Sequence, residues 1–188
     1  MSKTASSMLP LGTKAPLFSL LDVISGRQID LNQEPGPMAT VIMFICNHCP
    51  YVKHVNAELV RLARDYQARN IRFIAINSND VDHYPADSPE NMRITAEQEG
   101  YNFPYLFDES QAVAKAYQAA CTPDFYVFDQ QYILVYRGQL DDSRPGNEIP
   151  VNGESLRQAL DCLLSNQAIP AVQKPSLGCN IKWKPLTA

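Results

Sequence analysis

The sequence predicts an α/β fold built on a mixed sheet with helices on both faces. Three observations carry this. Two short, continuous apolar runs, Thr40–Ile45 (TVIMFI) and Ile71–Ile76 (IRFIAI), read as buried strands, being too short and too β-branched for helices. Helical stripes alternate with them, such as Val52, Val55, Leu59, Leu62 and Tyr66 at spacings of three and four. Near the end, Asp124–Phe128 and Ile133–Gln139 are separated only by Asp129 to Gln131 and a following Tyr, which suits an antiparallel hairpin. Strands alternating with helices bury a sheet between two helical layers, and the hairpin makes that sheet mixed.

The remaining elements follow in order. Residues 13–38 form an N-terminal β extension. Turn signals at Ser25-Gly26 and Pro35-Gly36-Pro37 bracket short strands at Phe18–Val23 and Gln28–Leu31. The first helix runs to about Arg69. Ser88-Pro89-Glu90 opens a second, with a capping Ser, Pro in the first turn and an acid at the positive end of the helix dipole. Phe103–Phe107 is a weak strand. Asp108 with Gln111 resembles a capping box ahead of a helix through about Ala120. A last helix shows Leu156, Ala159, Leu160, Leu163 and Leu164 on one face. Residues 167–188 lack periodicity, carry three prolines and read as an extended tail.

At 188 residues the chain fits one domain, 1–188, which buries enough surface to need no disulfide or structural metal. A net charge of -4 repels phosphate backbones and argues against nucleic acid as partner. No run approaches the roughly 18 apolar residues of a membrane span, so no membrane role is expected. Met1–Leu11 has one Lys and no signal-peptide apolar core, which points to the cytoplasm. The five cysteines, Cys46, Cys49, Cys121, Cys162 and Cys179, are too few and odd in number for a closed disulfide framework. In a reducing compartment a close pair is more often catalytic or metal-binding.

That pair is Cys46-Asn47-His48-Cys49, between a buried strand and a helix. A sulfur at a helix start faces unpaired N–H groups, which favour its thiolate, the attacking species in disulfide exchange. Cys46 is expected to be the low-pKa nucleophile, aided by a protonated His48, and Cys49 the resolving sulfur one turn on. Pro50 falls where a missing N–H costs little. Competing readings are half of a zinc site completed by Cys121, Cys179 or a His, a copper site with His48 or His54, or an incidental pair. A second CxxC is missing, which weighs against a four-thiolate site.

With these motifs in view, the stretch from Leu11-Gly12-Thr13-Lys14-Ala15-Pro16-Leu17-Phe18-Ser19-Leu20 through CNHCP resembles the AhpC/TSA (peroxiredoxin-related) and TlpA-like branch of the thioredoxin superfamily, to about residue 166. CNHCPYV, CTPDF, DDSRPGN and GCNIKWK are similar to a bacterial group of thioredoxin-family proteins. The resemblance implies a thioredoxin fold and thiol–disulfide exchange without a cofactor, within cell redox homeostasis. It implies protein or small-molecule disulfides as substrates, and a reductant such as a thioredoxin reductase or glutathione system. It places the nucleophile at Cys46 and the resolving thiol at Cys49. It also makes Thr122-Pro123 the loop whose cis proline packs against the pair and whose preceding backbone binds extended substrate peptide; otherwise Pro123 merely starts a strand. Thioredoxin's buried acid has no counterpart, Thr40 lying near that position, so a base for Cys49 is unassigned. Met43 stands where a peroxiredoxin has its peroxide-binding Thr, which counts against the alternative of a thiol peroxidase. The other alternative is a metal-binding or metal-delivery protein using Cys46 and Cys49 with a His or Cys179.

Cys121, two residues before Pro123, is either a third redox thiol or a small buried hydrophobe. Cys162, off its helix stripe, reads as inert. His54 reads as a surface residue and His83 as part of a polar loop. Asp80, Asp82 and Asp87 lack the Gly and Glu of a calcium loop and read as solvated. Asp141, Asp142 and Arg144 form a polar loop that could edge the site. The tail is expected to fold back to bury Ile181 and Trp183, with Gly178 permitting a close approach that brings Cys179 to the redox centre. The competing position for Cys179 is the far side of the molecule.

Overall fold

The computed structural model describes residues 3–32 and 36–185. Pro35 of the expected Pro35-Gly36-Pro37 turn lies outside them. The elements are β1 (Lys3–Ala5), β2 (Ser19–Asp22), β3 (Gln28–Asp30), β4 (Ala39–Phe44), α1 (Pro50–Gln67), β5 (Ile71–Asn77), a 3-10 turn (Pro85–Asp87), α2 (Pro89–Glu99), β6 (Tyr105–Phe107), α3 (Ala112–Ala116), β7 (Cys121–Thr122), β8 (Asp124–Asp129), β9 (Leu134–Gly138), α4 (Glu154–Leu164) and β10 (Leu177–Asn180).

Seven strands form one mixed sheet in the order β3-β2-β6-β5-β4-β8-β9. β4 is central, parallel to β5 and antiparallel to β8, and all six of its residues are buried. Alternation along it feeds two cores. Val41, Met43 and Ile45 pack with the α1 stripe, Met92 and Ala96 of α2 and Leu156 and Leu160 of α4. Ile42 and Phe44 pack on the other face with Val113 and Ala114 of α3, and with Tyr117. This is the mixed, two-faced sheet that the alternation of elements foretells, and the thioredoxin fold that the resemblance implies. The N-terminal extension is the edge of the sheet: β2 and β3 form the expected hairpin, and β2 joins β6 antiparallel. Ser88 caps α2 as expected, accepting from the Asn91 N–H at 3.3 Å. Among the described residues no helix is long and apolar enough to cross a membrane.

Two expectations need correction. The helix after Asp108 stops at Ala116 rather than Ala120, because Gln118 adopts a left-handed φ of 52°. Asp108 does accept from Ala114 N–H at 2.9 Å, but the Gln111 side chain donates to the carbonyls of Ser78 and Lys182 instead of closing a capping box. The tail is not merely extended. Its β10 lies between β1 and β7 in a second, three-stranded sheet, with Cys179 opposite Thr122 and Lys3 opposite Cys179. A sheet of two-to-four-residue strands has no periodicity to read, so the sequence pattern hides it. Beyond β10, Lys182 N–H donates to Asn79 Oδ1 at 2.9 Å and Asp80 N–H to the Lys182 carbonyl at 2.8 Å, which ties the tail to the loop after β5.

Candidate active site

The C-terminal end of β4 delivers Cys46, and the loop turns into α1 at Pro50 with Cys49 as its capping residue. The loop is locked from a distant segment. Asp87 Oδ1 accepts from the Asn47 N–H at 2.7 Å, the Asn47 side chain donates to the Ala86 carbonyl at 2.8 Å, and Tyr105 OH donates to Asn47 Oδ1 at 3.0 Å. His48 Nδ1 lies 2.6 Å from Asp87 Oδ2, and its ring stacks on Tyr84. The His48 ring, expected to act on Cys46, therefore meets a buried carboxylate. Burial pushes the Asp87 carboxyl up, but His48, the Asn79 amide and the Asn47 N–H outweigh burial and hold it below the ordinary carboxylate range. The reading of Asp87 as solvated is thus corrected: it is fully buried under the loop. Asp80 is also buried and holds His83 Nδ1 at 2.6 Å.

Opposite the loop, the Thr122–Pro123 peptide bond is cis, as the resemblance implied. Thr122 touches both sulfurs: its Oγ1 is 3.2 Å from Cys46 Sγ, and its carbonyl is 3.2 Å from Cys49 Sγ. The strand edge that the resemblance assigns to substrate peptide is filled here by the chain's own β10. Cys179 on that strand places its Sγ 2.8 Å from Cys49 Sγ. The tail therefore folds onto the cysteine pair, not onto the far side. Ile181 is buried as expected, but Trp183 is 41% exposed, with Lys115 Nζ over its ring, so the expectation of a buried Trp is corrected.

The sulfurs differ in their surroundings. A hydrogen bond to Cys49, burial and the charge of Asp87 raise the Cys46 thiol well above its ordinary value, against a lowering contact from Thr122. Cys49 is lowered, chiefly by the hydrogen bond from Cys46, with further help against burial from the Cys179 thiol and the backbone N–H groups of Val52 and Cys179. The Thr122 carbonyl favours a protonated Cys49, but the donors outnumber it. The two sulfurs share a hydrogen bond and titrate together. α1 starts at Pro50, so the helix-start sulfur is Cys49, where the sequence reading put Cys46.

The other candidates separate from the pair. Cys121 is buried beside Ser6 and Asp124, its Sγ 3.7 Å from the Pro123 carbonyl, and burial first, then Asp124, pushes its thiol up. That is the setting of the small hydrophobe, not of a reactive thiol. Cys162 is partly buried on α4. His54 is partly buried, its Nε2 2.7 Å from Ser143 Oγ, and with Arg144, Tyr51 and Pro123 it lines a cleft. Asp141 lines the same cleft, while Asp142 of that polar loop pairs with Lys174 instead. Asp124, directly after the cis proline, was not singled out in the sequence. It is fully buried, and burial pushes its carboxyl up to about 7 despite donors from Ser6, Tyr126 and the Phe125 N–H. Thr40 is buried and meets Arg72 Nη2 at 3.4 Å, so it offers the pair no acid. Among the described residues one group of possible metal ligands converges, Cys46, His48 and Asp87, with ligand atoms within 4.8 Å of one another. Both Asp87 oxygens are already engaged by Asn47, Asn79 and His48.

A thioredoxin-fold chain with a cysteine pair between strand and helix, faced by a cis proline, is the class these features define. Residues 11–137 match the AhpC/TSA family, and the chain belongs to it. It is similar to an uncharacterized conserved protein of Geobacillus kaustophilus, 61% identical over 100% of this chain and 99% of that one, with a TM-score of 0.97. It is likewise similar to a hypothetical protein of Sinorhizobium meliloti, 44% identical over 96% and 98% of the two chains, TM-score 0.93. The thioredoxin domain of a thiol-disulfide oxidoreductase from Bacteroides vulgatus shares the fold at 15% identity, covering 71% of this chain and 91% of that one, TM-score 0.61. No curated protein matches.

Proposed function

We propose that the chain is a thiol–disulfide oxidoreductase that cycles between a Cys46/Cys49 dithiol and its disulfide. The observation that carries this is the meeting of both sulfurs with Thr122, next to the cis Pro123. Cys46 is the sulfur that meets substrate, as the resemblance assigns it, while Cys49 caps α1 and resolves. As Cys46 Sγ attacks a substrate disulfide, its proton passes to the Cys49 thiolate, and the first substrate sulfur leaves as a thiolate. Cys49 then attacks Cys46 Sγ of the mixed disulfide. The second substrate sulfur leaves and takes the proton from Cys49. Cys49 thus serves as base for its partner, and the leaving substrate sulfur takes the proton of Cys49 in turn. Protein or small-molecule disulfides are the substrates, a thioredoxin reductase or glutathione system the reductant, and the cytoplasm the setting.

Reduction of glutathione disulfide and of a protein disulfide, driven by excess dithiothreitol, tests the reading. Turnover that disappears in Cys46→Ser supports it, and equal rates in that variant overturn it. Peroxide turnover should be slow by stopped flow, since Met43 is buried in β4 and has no hydroxyl to offer. The convergence of Cys46, His48 and Asp87 favours metal binding as the second reading. Anaerobic zinc or copper titration that protects Cys46 from iodoacetamide would promote it.

A further inference from the structure

The third sulfur at this site has no part in the two-cysteine cycle. We infer that Cys179 is a third redox thiol, which takes the disulfide inward from Cys46–Cys49 to Cys49–Cys179. The inference rests on the redox reading above.

Position is the first support. The Sγ atoms of Cys49 and Cys179 are 2.8 Å apart, against about 2.05 Å for a disulfide bond, so bridging them needs little movement. The second support is that the fold is built to hold this approach. An added Cβ at Gly178 would stand 2.0 Å from the Thr122 carbonyl oxygen and 2.6 Å from its carbon, both backbone atoms that cannot swing aside. Only glycine lets β10 come this close to β7. The strand is fixed on both sides of the cysteine: Ile181 N–H donates to the Ala120 carbonyl at 3.1 Å, and Ser6 N–H to the Ser176 carbonyl at 3.0 Å. The third support is the place it occupies. β10 pairs antiparallel with the residues before the cis proline, where an extended substrate would lie in the proposed reaction, and it presents a cysteine there. The chain carries its own substrate strand.

The step balances without an outside oxidant. Starting from oxidised Cys46–Cys49, Cys179 gives up its proton and attacks Cys49 Sγ. The Cys49–Cys179 bond forms as the Cys46–Cys49 bond breaks. Its electron pair leaves on Cys46, which takes up the proton. The chain stays oxidised by two electrons, and one thiol has been exchanged for another. Both leaving sulfurs are cysteine thiols of the same chain, so the exchange runs both ways. In the inward form Cys46 is a single thiol, while the oxidation is stored at Cys49 and Cys179.

The test equilibrates the full chain and its Cys46→Ser, Cys46→Ala and Cys179→Ala variants in glutathione buffers. Samples are quenched in acid, alkylated in denaturant and mapped by mass spectrometry. Both Cys46 variants should form a Cys49–Cys179 bridge. At least about a tenth of the oxidised wild-type chains should carry that bridge with Cys46 alkylated, which corresponds to a tenfold window in the exchange constant. If Cys179→Ala forms Cys46–Cys49 but the Cys46 variants leave Cys49 and Cys179 both alkylated, the relay is wrong and the dithiol reading stands. If Cys179→Ala forms no bridge, the dithiol reading fails and the relay, which starts from it, fails too.

Discussion

Cys46 and Cys49 are three residues apart in one loop, yet they meet different regions of the molecule. Cys46 faces Thr122 and the Asp87 carboxylate, which disfavours its charge. Cys49 caps α1 and gathers donors from Cys46, Cys179 and two backbone N–H groups, which favour its charge. The difference teaches that the spacing of a cysteine pair sets the reach between its sulfurs, while segments about 40 to 130 residues away divide the labour. In the proposed cycle one sulfur attacks the substrate and the other resolves it.

Removing either side breaks the comparison outright and should have the largest effect. Cys46→Ser should lose disulfide turnover to buffer background. Cys49→Ser should complete one attack and retain the substrate as a mixed disulfide on Cys46, seen as a mass adduct. Symmetric behaviour of the two variants would mean that the roles are not divided.

Asp124 comes next, because it holds Ser6 against the terminal strands that carry Cys179. Its folded pKa, about 7, stands above the unfolded value of 3.8. The protonated carboxyl therefore favours the fold. That contribution is whole below the unfolded value and is lost as pH rises through about 7. Relative to Asp124→Asn, the wild type should lose about 1.4 kcal/mol per pH unit across that window in urea unfolding. A constant difference between the two proteins would show that the carboxyl does not titrate there.

Gly178→Ala should push β10 from β7 and cost about 1–3 kcal/mol in thermal or urea unfolding. It should leave Cys46 able to form a mixed disulfide. The smallest effect is expected from Asp87→Asn, which removes only one of the causes that raise Cys46. Following the cysteine Cβ signals by NMR against pH, Cys49 should titrate first in the wild type, and the variant should narrow the gap. An unchanged gap would remove Asp87 from the explanation.

The central sheet was legible because β4, β5, β8 and α1 each carry a continuous or periodic apolar signal matching the core they enter. The pair and the proline were legible because CNHC and TPD fall at the ends of such elements. Asp87 was not, since a carboxylate in a polar loop looks the same buried or solvated until a distant N–H is placed against it. The division of charge was misplaced for a similar reason: a shift of one helical turn in where α1 begins moves its N–H groups from one sulfur to the other. In the tail, Gly178 and Cys179 gave a hint of close approach, and Trp183 misled because a surface cation covers it.

The most direct measurement is a glutathione redox titration of Cys179→Ala, with acid quench, alkylation and mass mapping of each cysteine. The expected result is one two-electron transition in which Cys46 and Cys49 lose alkylation together while Cys121 and Cys162 stay alkylated throughout. If Cys46 and Cys49 remain alkylated across the whole range in folded protein, the pair is not a redox couple.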